Sequence, residues 1–548
     1  MEFILELDYI ANNVKHKLFV DRECINEHFK LNVDTNENKL IMNLIPIDNI
    51  QIENAILKLK HSYKSSDFLF GNGYQSWSHA FEYNTSGYVH GLNNLPKFIN
   101  KKYSFDSYGD YRFYNYQSTS GVIRSNNYTF IRKMDEIELY GSLNERVGYT
   151  IFEHNTPTSM IKVYKDFQGV EFDRSFDLFN LVRITGNEDD VFDEYFRMLN
   201  IFKPTAKKML GYTSWYNHYQ DINETIILEN LASFKNNPKK FDVFQIDDGF
   251  ETFVGDWFDI DSAKFPNGLK PIVDKIHEDE MLAGIWLAPF AMEVDSELFR
   301  EHPDWAIKDS DGKLVKAGGN WSGFYGLDFS NDEVKEYISN VLDYYQNELG
   351  FDLFKLDFLY AVNFLPYNNK SRASIMYDAM EFLRSKLKDK LILGCGVNLF
   401  TAAGLVDYCR VSCDVSLDFD DKFYMPLMHQ ERVSTKNALK DTIYRHHLNG
   451  RAFLSDPDVF LLRDDNIKLS YNQKEALLII NSIFGSVLFT SDNIKDYTIS
   501  KLDMLEEAME MDAKDIKVRT ENEVITIQYT QNGENKVIKY DSNAGRLI

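Results

Sequence analysis

The sequence predicts a multidomain fold in which an N-terminal β-sandwich, a central (β/α)8 barrel and a small C-terminal β domain follow one another. Three observations support this prediction. Short alternating apolar and polar runs fill roughly the first 185 positions, strand and helix patterns then alternate from about residue 208, and alternating runs return after residue 511. The chain of 548 residues is also too long for one hydrophobic core.

The N-terminal domain is expected to span residues 1–185. Alternating runs separated by polar and Asn/Gly-rich turns recur without a strong helical period, for example at 39–46, 50–59, 136–140 and 159–164. Many short strands of this kind pack as a sandwich of two sheets.

One segment of this domain, from Gly71 to Ser78, has a distinct composition. Its paired glycines, Gly71 and Gly73, indicate a special backbone turn, and Trp77 follows on a loop. From the residues alone, a tryptophan packed in the core is the favoured interpretation of Trp77.

Residues 186–207 are expected to form a linker helix that is acidic at its start and is broken by Pro204. Residues 208–510 then form the barrel. The predicted strands are 209–214, 241–247, 281–287, 352–357, 391–395, 407–412, 451–455 and 486–489, with helical patterns between them such as 223–234, 333–346, 371–387 and 473–483. Eight strands alternating with helices fit a (β/α)8 barrel. A doubly wound sheet is the alternative, but no Gly-rich phosphate turn follows the first strand.

The C-terminal β domain is expected at residues 511–548. Alternating runs lie at 516–519, 524–529 and 536–540, and Asn532-Gly533 predicts a hairpin turn between the last two.

Composition limits the class of partner. The net charge of −24 argues against nucleic acid, which requires a basic surface. No apolar stretch is long enough to span a bilayer, so no membrane partner is expected. The start of the chain carries acids where a signal peptide needs bases, which predicts a cytoplasmic protein. The four cysteines (Cys24, Cys395, Cys409 and Cys413) form neither a disulfide framework nor a CxxC pair.

The segment 351–358 is the first candidate for chemistry. It reads as a buried strand in which Lys355 and Asp357 share a face, because alternate side chains of a strand point the same way. Unpaired charge in a core is costly, whereas charge at the end of a barrel strand is typical of a catalytic site. A buried Lys–Asp pair without a role is an equally good interpretation of this stretch alone.

The other predicted strand ends carry carboxylates and aromatic rings. They are Trp215, Asp247-Asp248, Trp286, Cys395, and Arg410 with Asp414. Acids can accept hydrogen bonds from sugar hydroxyls and transfer protons, and indole rings stack on sugar C–H faces. Five of the six tryptophans (215, 257, 286, 305 and 321) lie between strands 1 and 4, which favours one shared cleft.

Each of these residues also has a structural interpretation. Asp247-Asp248 could cap a helix, Arg410 and Asp414 could form a structural pair, and Trp286 could fill the barrel. Cys395 could be a small buried hydrophobe. Six polar or aromatic strand ends together favour a site over six separate coincidences.

No metal or cofactor is predicted. There is no HxH at a strand end and no HExxH, and the side chains of the adjacent His446 and His447 are expected to diverge on a helix. A serine hydrolase is not supported, because GxSxG is absent.

Several ordered motifs lie along the predicted barrel. They are QIDDGF at 245–250, GDW at 255–257, KFPNGL at 264–269, HPDW at 302–305, KLD at 355–357, DPD at 456–458 and LLR at 461–463, with Arg410 four residues before Asp414. Together they resemble the signature of glycoside hydrolase family 36 α-galactosidases over residues 210–490. The segment from Gly71 to Ser78 resembles the N-terminal domain of short family members.

The resemblance implies an N-terminal β-supersandwich, a catalytic barrel and a retaining double displacement on small oligosaccharides. For catalysis, the resemblance implies Asp357 as the nucleophile and Asp414 as the general acid/base. For sugar binding, it implies Asp247 and Asp248 as acceptors for the galactose O4 and O6 hydroxyls, and Lys355 and Arg410 as cations that bind hydroxyls. It also implies that Trp286 and Trp215 form the aromatic walls, that Trp77 lies over the mouth of the pocket, and that Cys395 lies near O2. Lys355 would keep Asp357 ionised, whereas Arg410 would oppose the proton that Asp414 must hold.

One departure bears on the O2 side. Many family members carry a Cys-Ser-Gly-Gly-Gly-type stretch after strand 5, where this chain has Gly394-Cys395-Gly396-Val397-Asn398. An α-N-acetylgalactosaminidase or an α-galactosyl transglycosylase on the same scaffold is therefore an open alternative, as is a non-catalytic carbohydrate-binding protein. The presence of both Asp357 and Asp414 argues against the last. The sequence leaves the oligomeric state open.

Overall fold

The N-terminal region of the computed structural model contains two antiparallel sheets. The structure describes residues 1–89, 91, 96, 98, 109–114, 119–234, 240–420 and 433–548. In spatial order the first sheet comprises Val14–Val20, Phe3–Ala11, Ile50–Lys60, Met160–Lys165, Thr150–Asn155 and Val122–Asn126, with Glu171–Phe172 also paired to Ile50–Lys60. The second comprises Cys24–Ile25, Phe29–Thr35, Lys39–Pro46, Phe176–Gly186, Glu136–Ser142, Tyr128–Lys133, Phe68–Asn72 and Ala80–Asn84.

The two sheets share one hydrophobic core. Phe3–Ala11 buries every second residue, as a strand with one face covered must. Leu5 and Leu7 of the first sheet pack in the same buried cluster as Leu40 and Met42 of the second. Alternation in the sequence therefore predicted the strands because it records which face each strand buries.

A parallel sheet forms the centre of the chain. Its strands are β1 (Met209–Thr213), β2 (Val243–Ile246), β3 (Leu282–Leu287), β4 (Leu353–Leu356), β5 (Leu391–Gly394), β6 (Tyr408–Arg410), β7 (Leu454–Asp456 and Val459–Phe460) and β8 (Val487–Thr490). Each predicted strand overlaps an observed strand; β7 and β8 extend beyond the predicted ends, and several others are shorter than predicted.

The parallel sheet curls until its two edges meet in β7. The first part of β7, Leu454–Asp456, pairs with β6, and the second part, Val459–Phe460, pairs with β8. Two residues separate the parts, and one of them, Asp458, has a left-handed φ of 76°. β8 in turn pairs with β1, so the sheet fits a barrel.

Helices alternate with these strands. The α-helices of the described residues are Glu188–Met198, Trp215–His218, Glu224–Phe234, Lys270–Glu278, Glu297–Glu301, Asp332–Asp343, Arg372–Leu387, Leu399–Ala402, Thr435–Tyr444, Tyr471–Phe484 and Ile499–Met509. Glu188–Met198 is shorter than the predicted linker helix, and Asn187 caps its start.

A small antiparallel sheet between β3 and β4 was not predicted. Its strands are Ala291–Glu293, Lys316–Gly318 and Phe324–Gly326. Three-residue strands are too short to show a period of two in the sequence, so the pattern gave no signal. The loop between the last two strands carries Asn320 and Trp321.

The C-terminal region forms a four-stranded antiparallel sheet of Lys514–Glu521, Val524–Gln531, Glu534–Asp541 and Arg546–Leu547. The predicted Asn532-Gly533 turn is confirmed, with φ of 52° and 79°, because a tight hairpin requires left-handed backbone at both residues. Among the described residues, no helix is long and apolar enough to cross a membrane.

The expectation that His446 and His447 diverge is wrong. They begin a 3₁₀ turn, His446–Leu448, and their ring centroids lie 5.6 Å apart. A ring nitrogen of each faces the Glu188 carboxylate.

Candidate active site

A cavity of about 210 Å³ lies at the carboxyl ends of the parallel strands. Four of its lining residues are the carboxylates Asp247, Asp248, Asp357 and Asp414. They follow β2, β4 and β6, three strands that lie far apart in the sequence, and they meet because the carboxyl ends of parallel strands share one face of the sheet.

A buried ion pair forms part of the cavity wall. Lys355 Nζ lies 2.8 Å from Asp247 Oδ1, and both side chains are less than a tenth exposed. Burial raises the pKa of Asp247, and the Lys355 ammonium opposes this rise. For Lys355, burial favours the neutral amine, but Asp247 outweighs it and the pKa lies above its usual value. Gln245 Nε2 donates a further hydrogen bond of 2.6 Å to Asp247.

Asp357 is held by two N–H donors. Trp286 Nε1 donates to Oδ2 at 3.1 Å, and the backbone N–H of Phe358 donates to Oδ1 at 2.8 Å. Lys355 shares the strand face with Asp357, as the sequence predicted, but its ammonium pairs directly with Asp247. These donors fix the orientation of the Asp357 carboxylate.

Asp248 is also surrounded by donors. Gln220 Nε2 lies 3.1 Å from Oδ1, and Trp321 Nε1 lies 3.0 Å from Oδ2. Behind it, burial and the negative charge of Asp248 raise the pKa of Glu251 well above its usual value. Glu251 therefore favours its protonated form.

Asp414 lies at the edge of a buried charge network. Arg410 Nη1 contacts Asp414 Oδ1 at 2.9 Å, while its other nitrogens contact Asp456 at 3.0 Å and Asp458 at 2.9 Å. Asp414 is 38% exposed, whereas the other three side chains are almost fully buried. The Arg410 guanidinium thus contacts three carboxylates, and its positive charge is shared among Asp414, Asp456 and Asp458.

Asp458, which lies inside this network, titrates near neutral pH because it is buried beside two other acids. Burial raises the pKa of Asp458 to about 7, against the effect of Arg410 and with the support of the negative charges of Asp414 and Asp456. Tyr216 also donates its hydroxyl to the Asp458 carboxylate.

Aromatic rings line the rest of the cavity. Trp77, Trp215, Trp286, Trp321 and Phe358 are among the lining residues. The expectation of five tryptophans in one cleft is wrong for two of them. Trp257 packs behind Trp286 with ring centroids 5.9 Å apart, and Trp305 stacks on His302 at 4.0 Å.

Trp77 reaches the cavity from the N-terminal region. Its ring contacts Phe358 and Tyr360 at centroid distances of 5.1 and 5.9 Å. Gly396 lies against it with φ of 62°, where an added Cβ would come within 3.1 Å of the indole. The interpretation of Trp77 as plain core, which the residues alone favoured, is therefore wrong.

Arg445 anchors the loop that carries Trp77, and sequence reasoning missed it. This fully buried guanidinium donates to Asn72 Oδ1 at 3.0 Å and to the carbonyls of Ser76 and Ser78 at 2.9 and 2.7 Å. It also donates to the carbonyl of Val411, one residue after β6, at 2.6 Å. One side chain thus ties the loop to the strand end that leads to Asp414.

Two predicted site residues are not among those that line the cavity. Arg410 lies beneath Asp414, and Cys395 is 1% exposed. Burial raises the pKa of the Cys395 thiol well above its usual value, so it stays protonated. Gln220, Asn320 and Tyr216 line the cavity but were not predicted, since nothing in their local sequence separates them from ordinary loop or helix residues.

Comparisons with known proteins find similarity to the central part of this chain. Residues 190–398 match the family model Melibiase. The bifunctional alpha-galactosidase/sucrose kinase AgaSK of Mediterraneibacter gnavus is 29% identical over 188 residues, which are 32% of this chain and 20% of that protein. The A type blood alpha-D-galactosamine galactosaminidase of Flavonifractor plautii is 33% identical over 125 residues, 21% of this chain and 12% of that protein. The chain thus spans a fifth or less of the length of these two curated relatives.

A solved structure matches nearly the whole chain. The alpha-galactosidase TtGalA of Thermus thermophilus, in complex with p-nitrophenyl alpha-D-galactopyranoside, superposes with a TM-score of 0.71 at 23% identity, covering 97% of this chain and 98% of that one. This likeness shows the fold. The family model and the curated relatives confirm the resemblance predicted from the sequence.

The role of Arg445 can be tested by Arg445→Lys. The Lys ammonium cannot form the five hydrogen bonds of the planar guanidinium, so buried carbonyl oxygens lose their donors. We therefore expect the free energy of unfolding, measured with urea, to fall by about 2–4 kcal/mol. Arg197→Lys, at an exposed helical pair with Glu194, is the control and should change stability by about 0.5 kcal/mol or less. Equal stability of the two variants would rule out the anchoring role.

Proposed function

We propose that this relative of the family 36 α-galactosidases is a retaining exo-α-galactosidase that releases terminal α-linked galactose from oligosaccharides. One observation supports this proposal most: the cavity combines Asp357 and Asp414 with the neighbouring acceptors Asp247 and Asp248 and with several indole rings. Carboxylates for chemistry, acceptors for hydroxyls and aromatic faces for C–H surfaces are what a pyranose site needs.

Asp247 and Asp248 account for the recognition of the sugar. They are neighbours on the chain, both are fixed by donors from the protein, and both line the cavity. Two ionised acceptors side by side suit two neighbouring hydroxyls, the O4 and O6 of galactose. Lys355 would donate to the same region, since Asp247 occupies only part of its donor capacity.

Asp357 would act as the nucleophile in the first displacement. Its carboxylate attacks the anomeric carbon and the bond to the leaving oxygen breaks, while Asp414 gives its proton to that oxygen. Water then attacks the β-linked glycosyl-enzyme, with Asp414 now taking the proton, and releases α-galactose. The N–H donors on Asp357 support the first role, and the exposure of Asp414 at the mouth supports exchange with leaving group and water.

The sharing of Arg410 answers the electrostatic objection to this assignment. A dedicated guanidinium would expel the Asp414 proton, but Asp456 and Asp458 also draw on its charge. Arg410 would therefore orient Asp414 more than it ionises it. A direct contact of Arg410 or Cys395 with the sugar is less well supported, because neither residue lines the cavity.

The domain assignment is part of the proposal. A β-supersandwich at 1–185 would supply Trp77, a linker helix at 186–207 would lead to a (β/α)8 barrel at 208–510, and residues 511–548 would form the C-terminal domain.

An α-N-acetylgalactosaminidase is the second candidate. The match to the galactosaminidase of Flavonifractor plautii favours it, as does the departure from the family pattern at Gly394 to Asn398 on the O2 side. Transglycosylation on the same scaffold is a further variant. Aryl α-galactoside and aryl α-N-acetylgalactosaminide, assayed side by side with product analysis, separate these functions.

We predict a strong preference for the axial O4 of galactose. A site built to pair with a hydroxyl rejects an analogue that misplaces it, because its buried acceptors are left unpaired. The test compares kcat/KM for an aryl α-galactoside and the matching α-glucoside. Comparable kcat/KM values for the two substrates would contradict the proposal that Asp247 and Asp248 bind the O4 and O6 hydroxyls.

We predict a bell-shaped pH profile for kcat/KM. The acid limb reports ionisation of Asp357, and the alkaline limb reports loss of the proton from Asp414. Asp414→Ala should remove the alkaline limb on substrates with good leaving groups, and an unchanged limb would exclude Asp414 as the acid. Above about pH 7 Asp458 is ionised and its negative charge helps to hold the Asp414 proton, so Asp458→Asn should move an alkaline limb in that range to lower pH.

We predict that Asp357 and Asp414 variants fail in different ways. Asp357→Gly should lose nearly all turnover, because no glycosyl-enzyme can form. Asp414→Ala should lose roughly 10²- to 10⁴-fold on natural substrates, and much less in the first step on aryl substrates.

Added azide separates the two variants. In Asp357→Gly it enters from the vacated β face and gives a β-galactosyl azide, whereas in Asp414→Ala it attacks the β-linked intermediate and gives the α anomer. Proton NMR reads the anomer. The same anomer from both variants, or β-galactose as the first product of the wild type, would overturn the assigned roles.

A further inference from the structure

A cluster of two histidines and one glutamate lies apart from the residues that line the cavity. Glu188 is the first residue of the helix Glu188–Met198, and His446 and His447 begin the turn that follows the helix Thr435–Tyr444. One carboxylate oxygen and one ring nitrogen from each histidine lie within 4.8 Å of one another. The cluster therefore joins the linker helix to the barrel.

The hydrogen bond of His446 fixes its tautomer. Its Nδ1 lies 2.8 Å from the carbonyl oxygen of Ile443, which can only accept, so Nδ1 carries the proton. In the neutral ring, Nε2 then presents a lone pair, and it lies 3.4 Å from Glu188 Oε1. Two acceptors that face each other repel unless a positive charge lies between them.

His447 presents a second nitrogen to the same oxygen. Its Nε2 is held by the Tyr128 hydroxyl at 2.6 Å, and its Nδ1 lies 3.9 Å from Glu188 Oε1. His447 Nδ1 and Glu188 Oε1 are both buried and without a hydrogen-bond partner. In the tautomer whose Nε2–H donates to the Tyr128 hydroxyl, Nδ1 presents its lone pair towards Glu188 and can act as a ligand.

The surrounding charges also favour a cation. Arg132 contacts the other oxygen of Glu188 at 2.8 Å and contacts Glu82 at 2.7 Å. Arg132 thus balances only one of these two carboxylates, and Arg451, which donates to the His447 carbonyl, is itself paired with Asp189 and Asp193. Each of the three groups is thus held on its far side by a partner, the pattern by which proteins orient metal ligands.

We propose that Glu188, His446 and His447 bind a divalent transition-metal ion, with zinc as the favoured metal. Two imidazole nitrogens and one carboxylate oxygen suit zinc, and a water would complete a tetrahedron. The ion would tie the first turn of the linker helix to the turn that follows Arg445, and so would stabilise the contact between the N-terminal region and the barrel. This site is independent of the proposed hydrolase function.

The test uses the full chain without a histidine tag, stripped of metal by a chelator. Titration calorimetry with zinc should show one tight equivalent, zinc should raise the thermal midpoint, and cobalt should give the visible absorption of a low-coordinate site. His446→Ala should weaken zinc binding at least about tenfold and lose the cobalt bands. His277→Ala, a surface histidine paired with Asp352, is the matched control and should bind as the wild type does.

Glu188→Gln provides a second variant that keeps the shape of the side chain and an acceptor for Arg132. It should also weaken zinc binding at least about tenfold, so the test does not depend on the folding of His446→Ala. Wild-type protein that binds no stoichiometric zinc, or zinc binding that is equal in wild type, His446→Ala and Glu188→Gln, would overturn the proposal.

Discussion

The ion pair of Lys355 and Asp247 is the interaction around which the cavity is arranged. Buried charge is costly unless it is paired. Lys355 in β4 and Asp247 directly after β2 lie 2.8 Å apart, so each neutralises the charge of the other. The same constraint explains the remaining carboxylates. Asp357 and Asp248 receive N–H donors from tryptophan rings, and Asp414 shares one guanidinium with two buried acids. A site with four carboxylates can exist here because each one has a donor.

The pairing also separates the carboxylates by protonation state. Glu251 and Asp458 are buried beside other acids, and burial raises the pKa of each. Burial beside other acids favours the neutral form of these two carboxyls, so each holds a proton more readily than an exposed acid does. The protein thereby places acids with different proton affinities within one small volume, as acid–base catalysis requires.

The cavity depends equally on the N-terminal region. Trp77 belongs to a loop whose backbone carbonyls are held by Arg445, and Asp441 of the same helical segment accepts from the backbone of Ala80. Buried arginine with carbonyl partners is a rigid connection, because the guanidinium is planar and offers five donors. The two regions therefore form one site, in which neither can move without loss of buried hydrogen bonds.

The sequence by itself determined the strands, the helices and the charged strand ends, since a period of two or 3.6 is a local property that burial of one face imposes. From these, the order of elements predicted a parallel sheet and brought Asp247, Asp357 and Asp414 to one edge. Only the tertiary structure decided which neighbours fill that edge. Trp77 lines the cavity, whereas Trp257, Trp305 and Cys395 do not. Arg445 holds the loop that carries Trp77. Their positions depend on contacts between residues hundreds of positions apart, such as Arg445 with Asn72, and no local pattern of side chains records such contacts.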